Sequence, residues 1–148
     1  APEFVEKVDA GVRFLDELLE QDGVIYGVTT GYGDSCTVTV PENLVNELPI
    51  HLTRFHGCGL GDTFDEQETR AILAARLSSL AQGYSGVSWE LLERLVVMLN
   101  ENMLPLIPKE GSVGASGDLT PLSYIAGALI GERDVRFTNC GLKKAWPL

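Results

Sequence analysis

"GSVGASGDLTP", residues 111–121, crowds three glycines, two serines and an alanine ahead of an Asp and a Thr-Pro pair. Such residues open backbone conformations that others avoid. Thr120 as N-cap and Pro121 as first helical residue predict a helix directly after it, with Leu122, Ile125, Ala126, Leu129 and Ile130 as its buried stripe and Gly131 as its stop. The first turn of a helix presents unpaired N–H groups and a partial positive charge, so an electron-rich group is favoured beside residues 111–119.

Four readings of that stretch compete. A phosphate cradle needs G-x-x-x-x-G-K-[ST] or G-x-G-x-x-G after a strand, and Gly111, Gly114 and Gly117, three apart with no following Lys, satisfy neither. A nucleophile elbow needs G-x-S-x-G, but Asp118 stands where the last glycine belongs, and neither a His partner nor a strand is in evidence. A flexible turn before a helix is the ordinary reading. The fourth is covalent self-modification at Ala115-Ser116-Gly117. In a tightly bent chain the Gly117 nitrogen can attack the Ala115 carbonyl carbon, and loss of water closes a five-membered ring. Gly117 leaves its nitrogen unobstructed, Ala115 is small, and the Ser116 hydroxyl can leave to make an exocyclic methylidene. The product is an electrophile made of protein alone, and helix N-termini aimed at it would stabilise the charge that develops on addition.

Outward from this stretch the chain reads as mostly helix. Phe4, Val5, Val8, Val12, Leu15, Leu18 and Leu19 fall on one helical face that ends at Gly23. Residues 23–35 carry four glycines and no helical period, which predicts a structured loop. Leu44, Val45, Leu48, Leu52 and Phe55 resume helical spacing, with Pro49 expected to kink or split the segment. "HGCGLGD", 56–62, is a second Gly-rich break. Asp65 with Glu68 predicts a capped helix, and Ser88 caps the next. "LPLIPKE", 104–110, is extended or turn-like, and "VRFTNCGLKKAWPL", 135–148, shows no period and no closing element.

The 148 residues are 45% hydrophobic, enough for a folded core. A formal net charge of -10 without a basic run argues against nucleic-acid or anionic-membrane partners and for a small molecule. Cys36, Cys58 and Cys140 are odd in number, lack C-x-x-C spacing, and accompany neither a signal peptide nor an apolar span, which favours reduced thiols in the cytoplasm. His51 and His56 with scattered cysteines form no metal-ligand pattern, so no metal is expected.

"GSVGASGDLTPLS" closely resembles the signature of the histidine, phenylalanine and tyrosine ammonia-lyases and the related aminomutases, which form 4-methylideneimidazol-5-one (MIO) from Ala-Ser-Gly. "YGVTTGYG" at 26–33, "RFHGCGLG" at 54–61 and "ARLSSLAQGYSGVS" at 75–88 resemble further segments of that family in the same order, so the likeness runs from about Ile25 to Glu132. An ordered match of this length is far more specific than one short pattern.

The resemblance implies that Ala115, Ser116 and Gly117 become MIO, with Asp118 and Leu119 holding its geometry and no metal or nucleotide required. It makes Tyr26 the catalytic tyrosine that takes the substrate β-proton, where otherwise a half-buried loop tyrosine is the default. The β-proton is weakly acidic and a free tyrosine titrates near pKa ~10, so positive potential must favour the phenolate. Gly33, on the same loop, would let the backbone approach the substrate. Phe55 and His56 match the pair that contacts the substrate ring. Histidine lyases of the family typically carry Ser-His there, many phenylalanine lyases Phe-Leu and tyrosine lyases His-Leu; this chain mixes them. His56 can pair with an imidazole or a phenol, and against phenylalanine its polar group would be left without a partner.

The fold implied is mainly α: the MIO-bearing N-terminal domain of the ammonia-lyase (L-aspartase/fumarase-like) helical fold, a single partial domain over 1–148 that stops before the long central helix bundle. The function implied is ammonia elimination from tyrosine or histidine to give coumarate or urocanate. The alternatives are an MIO-dependent aminomutase and, from another class, a non-catalytic helical assembly fragment. Family enzymes are tetramers with shared active sites, so the chain is expected to expose apolar surface and to need self-association into a homotetramer or a companion C-terminal chain; alone it is expected to be inactive.

Overall fold

α1 (Pro2–Glu20) lays its apolar stripe inward, burying Val8 and setting Phe4 edge-on to Trp89 with ring centroids 5.6 Å apart. This computed structural model describes residues 2–21, 23–114, 117–137 and 141–144. The chain is mainly helical, as its periodicity predicts. The Pro49 expectation holds: the helical segment is split into α2 (Glu42–Val45) and α3 (Leu48–His56), with Pro49 in the first turn of α3, where its missing N–H costs no hydrogen bond.

α4 (Glu66–Leu80) opens on a complete capping box, in which the Glu68 amide donates to Asp65 Oδ1 at 2.8 Å and the Asp65 amide to Glu68 Oε2 at 2.9 Å. α5 (Trp89–Asn100) is capped by Ser88, whose Oγ accepts from the Leu91 amide at 3.3 Å. Their facing sides meet α6 (Leu119–Leu129) around Leu73, Leu95, Met98, Ile107, Ala128 and Val135, all buried. Each of these side chains except Ala128 contributes about 1.5–3 kcal/mol by leaving water.

Four sequence expectations are corrected. The break at 56–62 contains the start of a strand, β1 (Leu60–Thr63), which pairs antiparallel with β3 (Pro108–Glu110). The aperiodic end holds β4 (Asp134–Phe137) and β5 (Gly141–Lys144), which extend β2 (Met103–Pro105) into a three-stranded antiparallel sheet of order β2-β4-β5. Strands of three or four residues are too short for a period of two to register. The last helix begins at Leu119, so Asp118 and not Thr120 is its N-cap. Its expected stripe is also divided: Ile125 and Leu129 are buried, Leu122 and Ala126 are half-buried, and Ile130 is exposed, while Tyr124 and Ala128 lie in the core. α6 is apolar nearly all round, so spacing could not pick its face. Cys36 and Cys58 are free and exposed; Cys140 lies outside the described residues.

Candidate active site

The β1–β3 register assembles the site. Leu60 stands opposite Glu110, so the turn that follows α3 and the 111–118 loop leave the same end of the ribbon. A Cβ on Gly111 would come 3.3 Å from the Gly59 Cα, so the two glycine-rich breaks touch.

Asp118 ties the 111–118 loop across its mouth. Its Oδ2 accepts from Ser112 Oγ at 2.7 Å, its Oδ1 accepts from the Val113 amide at 3.2 Å, and Ser112 Oγ accepts in turn from the Gly114 amide at 3.2 Å. Asp118 adopts a left-handed backbone with φ 42°, which Asp tolerates better than most residues. Gly114 and Gly117 have φ 64° and 89°, values that glycine alone takes without strain. Ala115 and Ser116 lie outside the described residues. Gly117 is exposed, and no atom lies within 4 Å of where its Cβ would be. Because its carboxylate faces the loop, Asp118 makes no side-chain cap to α6.

The 23–40 loop is stapled by two of its threonines, Thr29 and Thr30. Thr29 Oγ1 accepts from the Ile25 amide at 2.8 Å, and Thr30, 3% exposed, accepts from the Gly27 amide at 3.1 Å. A bridge between Thr30 and Thr39 closes the loop. Tyr26 rides on this frame, 61% exposed, its hydroxyl accepting from the Gly33 amide at 2.9 Å. Tyr32 meets Tyr26 edge-on at 5.8 Å, and burial, then its neighbour Tyr26, raises the Tyr32 phenol above its ordinary range.

His56 ends α3. Its Nδ1 lies 2.9 Å from the Leu52 carbonyl oxygen, which can only accept, so Nδ1 carries the proton and Nε2 of the neutral ring is an acceptor. Phe55 packs edge-on against the His56 ring at 5.2 Å and is 78% exposed.

A cavity of about 420 Å³ lies among these parts, lined by Tyr32, His56, Arg76, Gly117 and, from α6, Leu119, Ile125 and Leu129 among others. Of the residues singled out from sequence, it brings His56 and Gly117 together. Tyr26, Gly33 and Phe55 stand outside its lining. Thr29, Thr30 and Arg76 escaped sequence reading: the threonines looked like ordinary loop residues, and Arg76 like one charge on a solvated helix. Among the described residues, no group of His, Cys, Asp and Glu could hold a metal ion, and no helix is long and apolar enough to cross a membrane.

A mainly helical scaffold that brings Gly117, next to the Asp118 strap, and the His-bearing end of α3 to one cavity agrees with the ammonia-lyase resemblance of the sequence. The aromatic amino acid lyase family profile matches residues 1–145, and the chain belongs to that family. It is 40% identical over 133 residues to a histidine ammonia-lyase of Staphylococcus aureus, covering 90% of this chain and 26% of the relative. A tyrosine aminomutase from Streptomyces globisporus superposes with a TM-score of 0.88 at 41% identity, covering 98% of this chain and 27% of that one. The ergothionase of Treponema denticola gives a TM-score of 0.90 at 30% identity, over 98% of this chain and 29% of that one. The chain therefore spans about a quarter of the length of these relatives.

Proposed function

We propose that this chain is the MIO-forming, substrate-ring-reading part of an ammonia-lyase acting on tyrosine or histidine to release ammonia and an arylacrylate. The observation that carries the reading is the convergence of Gly117 and His56 on one cavity, through the Leu60–Glu110 register. MIO formed from Ala115, Ser116 and Gly117 would supply an electrophile for the substrate amine. The chain's own residues do the rest. The Asp118 strap holds the loop bent, and the first turn of α6 offers N–H dipoles to developing negative charge. Tyr26 is the proton acceptor in this reading, with the Gly33 amide donating to its oxygen. His56 Nε2 would accept from a phenol O–H or an imidazole N–H, and Phe55 would cover the ring.

Exposed Phe55, Leu60 and Val113 near the site support assembly with further lyase chain, as a homotetramer or with a companion C-terminal chain. The reading carries with it a cytoplasmic enzyme of which 1–148 is one partial domain. An aminomutase is the second reading, favoured by the 41% identity to the tyrosine aminomutase.

Intact mass tests both readings against a non-catalytic assembly fragment. The full-length enzyme should weigh two waters less than its sequence, and an unaltered mass would rule out the chemistry. Incubation with tyrosine, histidine and phenylalanine in parallel then separates lyase from mutase by product, arylacrylate or β-amino acid.

A further inference from the structure

The turn after His56 is gripped from the far end of α6. Tyr124, 8% exposed, accepts from the Gly59 amide at 3.0 Å and donates back to the Gly59 carbonyl at 3.4 Å. Arg133 lays its guanidinium over the Tyr124 ring, 4.1 Å from the centroid, and donates from Nη2 to the Gly57 carbonyl at 3.3 Å. Next to it, Glu132 takes the Arg54 guanidinium in a two-point ion pair, one arm of which is Nε to Oε2 at 3.0 Å.

The sequence leaves a slot for this arrangement. A Cβ on Gly57 would come 1.6 Å from Arg133 Nη2, and one on Gly127 would come 2.7 Å from Arg133 Cδ. The amides of Glu132 and Arg133 both donate to the Gly127 carbonyl, at 2.9 and 3.1 Å, so the end of α6 aims the arginine across the two glycines. The grips at 54, 57 and 59 bracket Phe55 and His56, and neither Tyr124 nor Arg133 lines the cavity.

We infer that Tyr124 and Arg133 are positioning residues for the substrate ring: they fix the Gly57–Gly59 backbone and through it the angle at which Phe55 and His56 meet that ring. The inference rests on the proposed function. A displacement of about 1 Å in such a pair is enough to cost up to ~100-fold in turnover efficiency.

The test is made on the full-length enzyme with Tyr124→Phe, which keeps the ring and removes both bonds to Gly59, and with Arg133→Met and Arg133→Lys. KM for the preferred aromatic substrate should rise about tenfold, kcat should fall by less than about threefold, and the ratio of kcat/KM between tyrosine, histidine and phenylalanine should shift. Arg133→Lys should recover part of the shift by restoring the cation over Tyr124. Gly57→Ala, which displaces only the far end of Arg133, should reproduce the Arg133→Met selectivity. A two-water mass deficit with an unmoved selectivity ratio in all four variants overturns this inference alone, including where kcat falls uniformly. A wild type with no mass deficit overturns the proposed function, and this inference with it.

Discussion

The amide of Gly33 donates to the hydroxyl oxygen of Tyr26 at 2.9 Å, and this bond distinguishes Tyr26 from Tyr32, whose ring it meets edge-on. Tyr26 has a donor aimed at the atom that would carry negative charge, whereas Tyr32, 5.8 Å away ring to ring, is held protonated by burial. Tyr26→Phe should therefore lower kcat by about 10²–10⁴-fold, the range for losing a general base, and leave the mass deficit in place. Tyr32→Phe should keep kcat within about threefold, since it removes no base. Equal losses in the two variants, measured by steady-state kinetics, would remove Tyr26 from its role.

Tyr32 gives a pH signature of its own. A phenol whose folded-state pKa is raised binds its proton more tightly in the folded chain, so its contribution to stability is fully present below the ordinary value of 10.0 and is lost as pH rises past it. In an ultraviolet titration the wild type should show a phenol ionising above the ordinary tyrosine value, and that late step should vanish in Tyr32→Phe. A titration curve unchanged in shape by the substitution would contradict the burial argument.

Asp118 straps the loop that reacts with itself in the proposed function. Asp118→Ala removes the acceptors for Ser112 Oγ and the Val113 amide and puts a residue with poor left-handed tolerance at φ 42°, a backbone cost of about 1–2 kcal/mol. The two-water mass deficit should become incomplete or slow to develop. Asp118→Asn, which tolerates the same backbone and keeps one acceptor, should mature more fully. Complete maturation of the alanine variant, followed by mass spectrometry over time, would show that the strap is dispensable.

The starts of α4 and α5 were legible in the sequence because their signals are local. Asp65 with Glu68, and Ser88 before an apolar run, each satisfy amides within three residues, so no distant partner decides the outcome. The same holds for Pro49, whose ring fixes the break between α2 and α3. The site was legible only as separate pieces. That Gly59 lies against Gly111 depends on a strand register between segments some fifty residues apart, set by β1 and β3, which are too short to announce themselves. Arg133 carries no signal at all in one dimension. Its place over Tyr124 follows from how α6 ends, and of the glycines that make room for it Gly57 looks, in sequence, like part of an ordinary break and Gly127 like a helix-interior residue.

The capping box of α4 supplies a stability test that leaves the chemistry alone. Asp65→Ala removes the acceptor for the Glu68 amide and breaks the reciprocal bond, a loss of about 0.5–2 kcal/mol. Denaturant unfolding should show that loss, while the mass deficit and substrate selectivity stay as in the wild type. A changed selectivity would mean that α4 reaches the site by a route other than Arg76 on the cavity wall.

His56 is the residue on which substrate choice should turn. With Nδ1–H committed to the Leu52 carbonyl, the neutral ring has only an acceptor left, and an acceptor distinguishes substrates that bring a donor from those that do not. Tyrosine brings a phenol O–H and histidine an imidazole N–H; phenylalanine brings neither, and would leave Nε2 unpaired in a mostly apolar cavity. His56→Leu removes that penalty. The ratio of kcat/KM for phenylalanine to that for the native substrate should rise on the order of 10–100-fold, mostly through loss of the native substrate. Asn at the same position can still accept, so His56→Asn should hold the ratio closer to wild type. If leucine and asparagine shift the ratio equally, His56 contributes bulk and not a hydrogen bond, and the choice between tyrosine and histidine must be made by residues elsewhere in the enzyme.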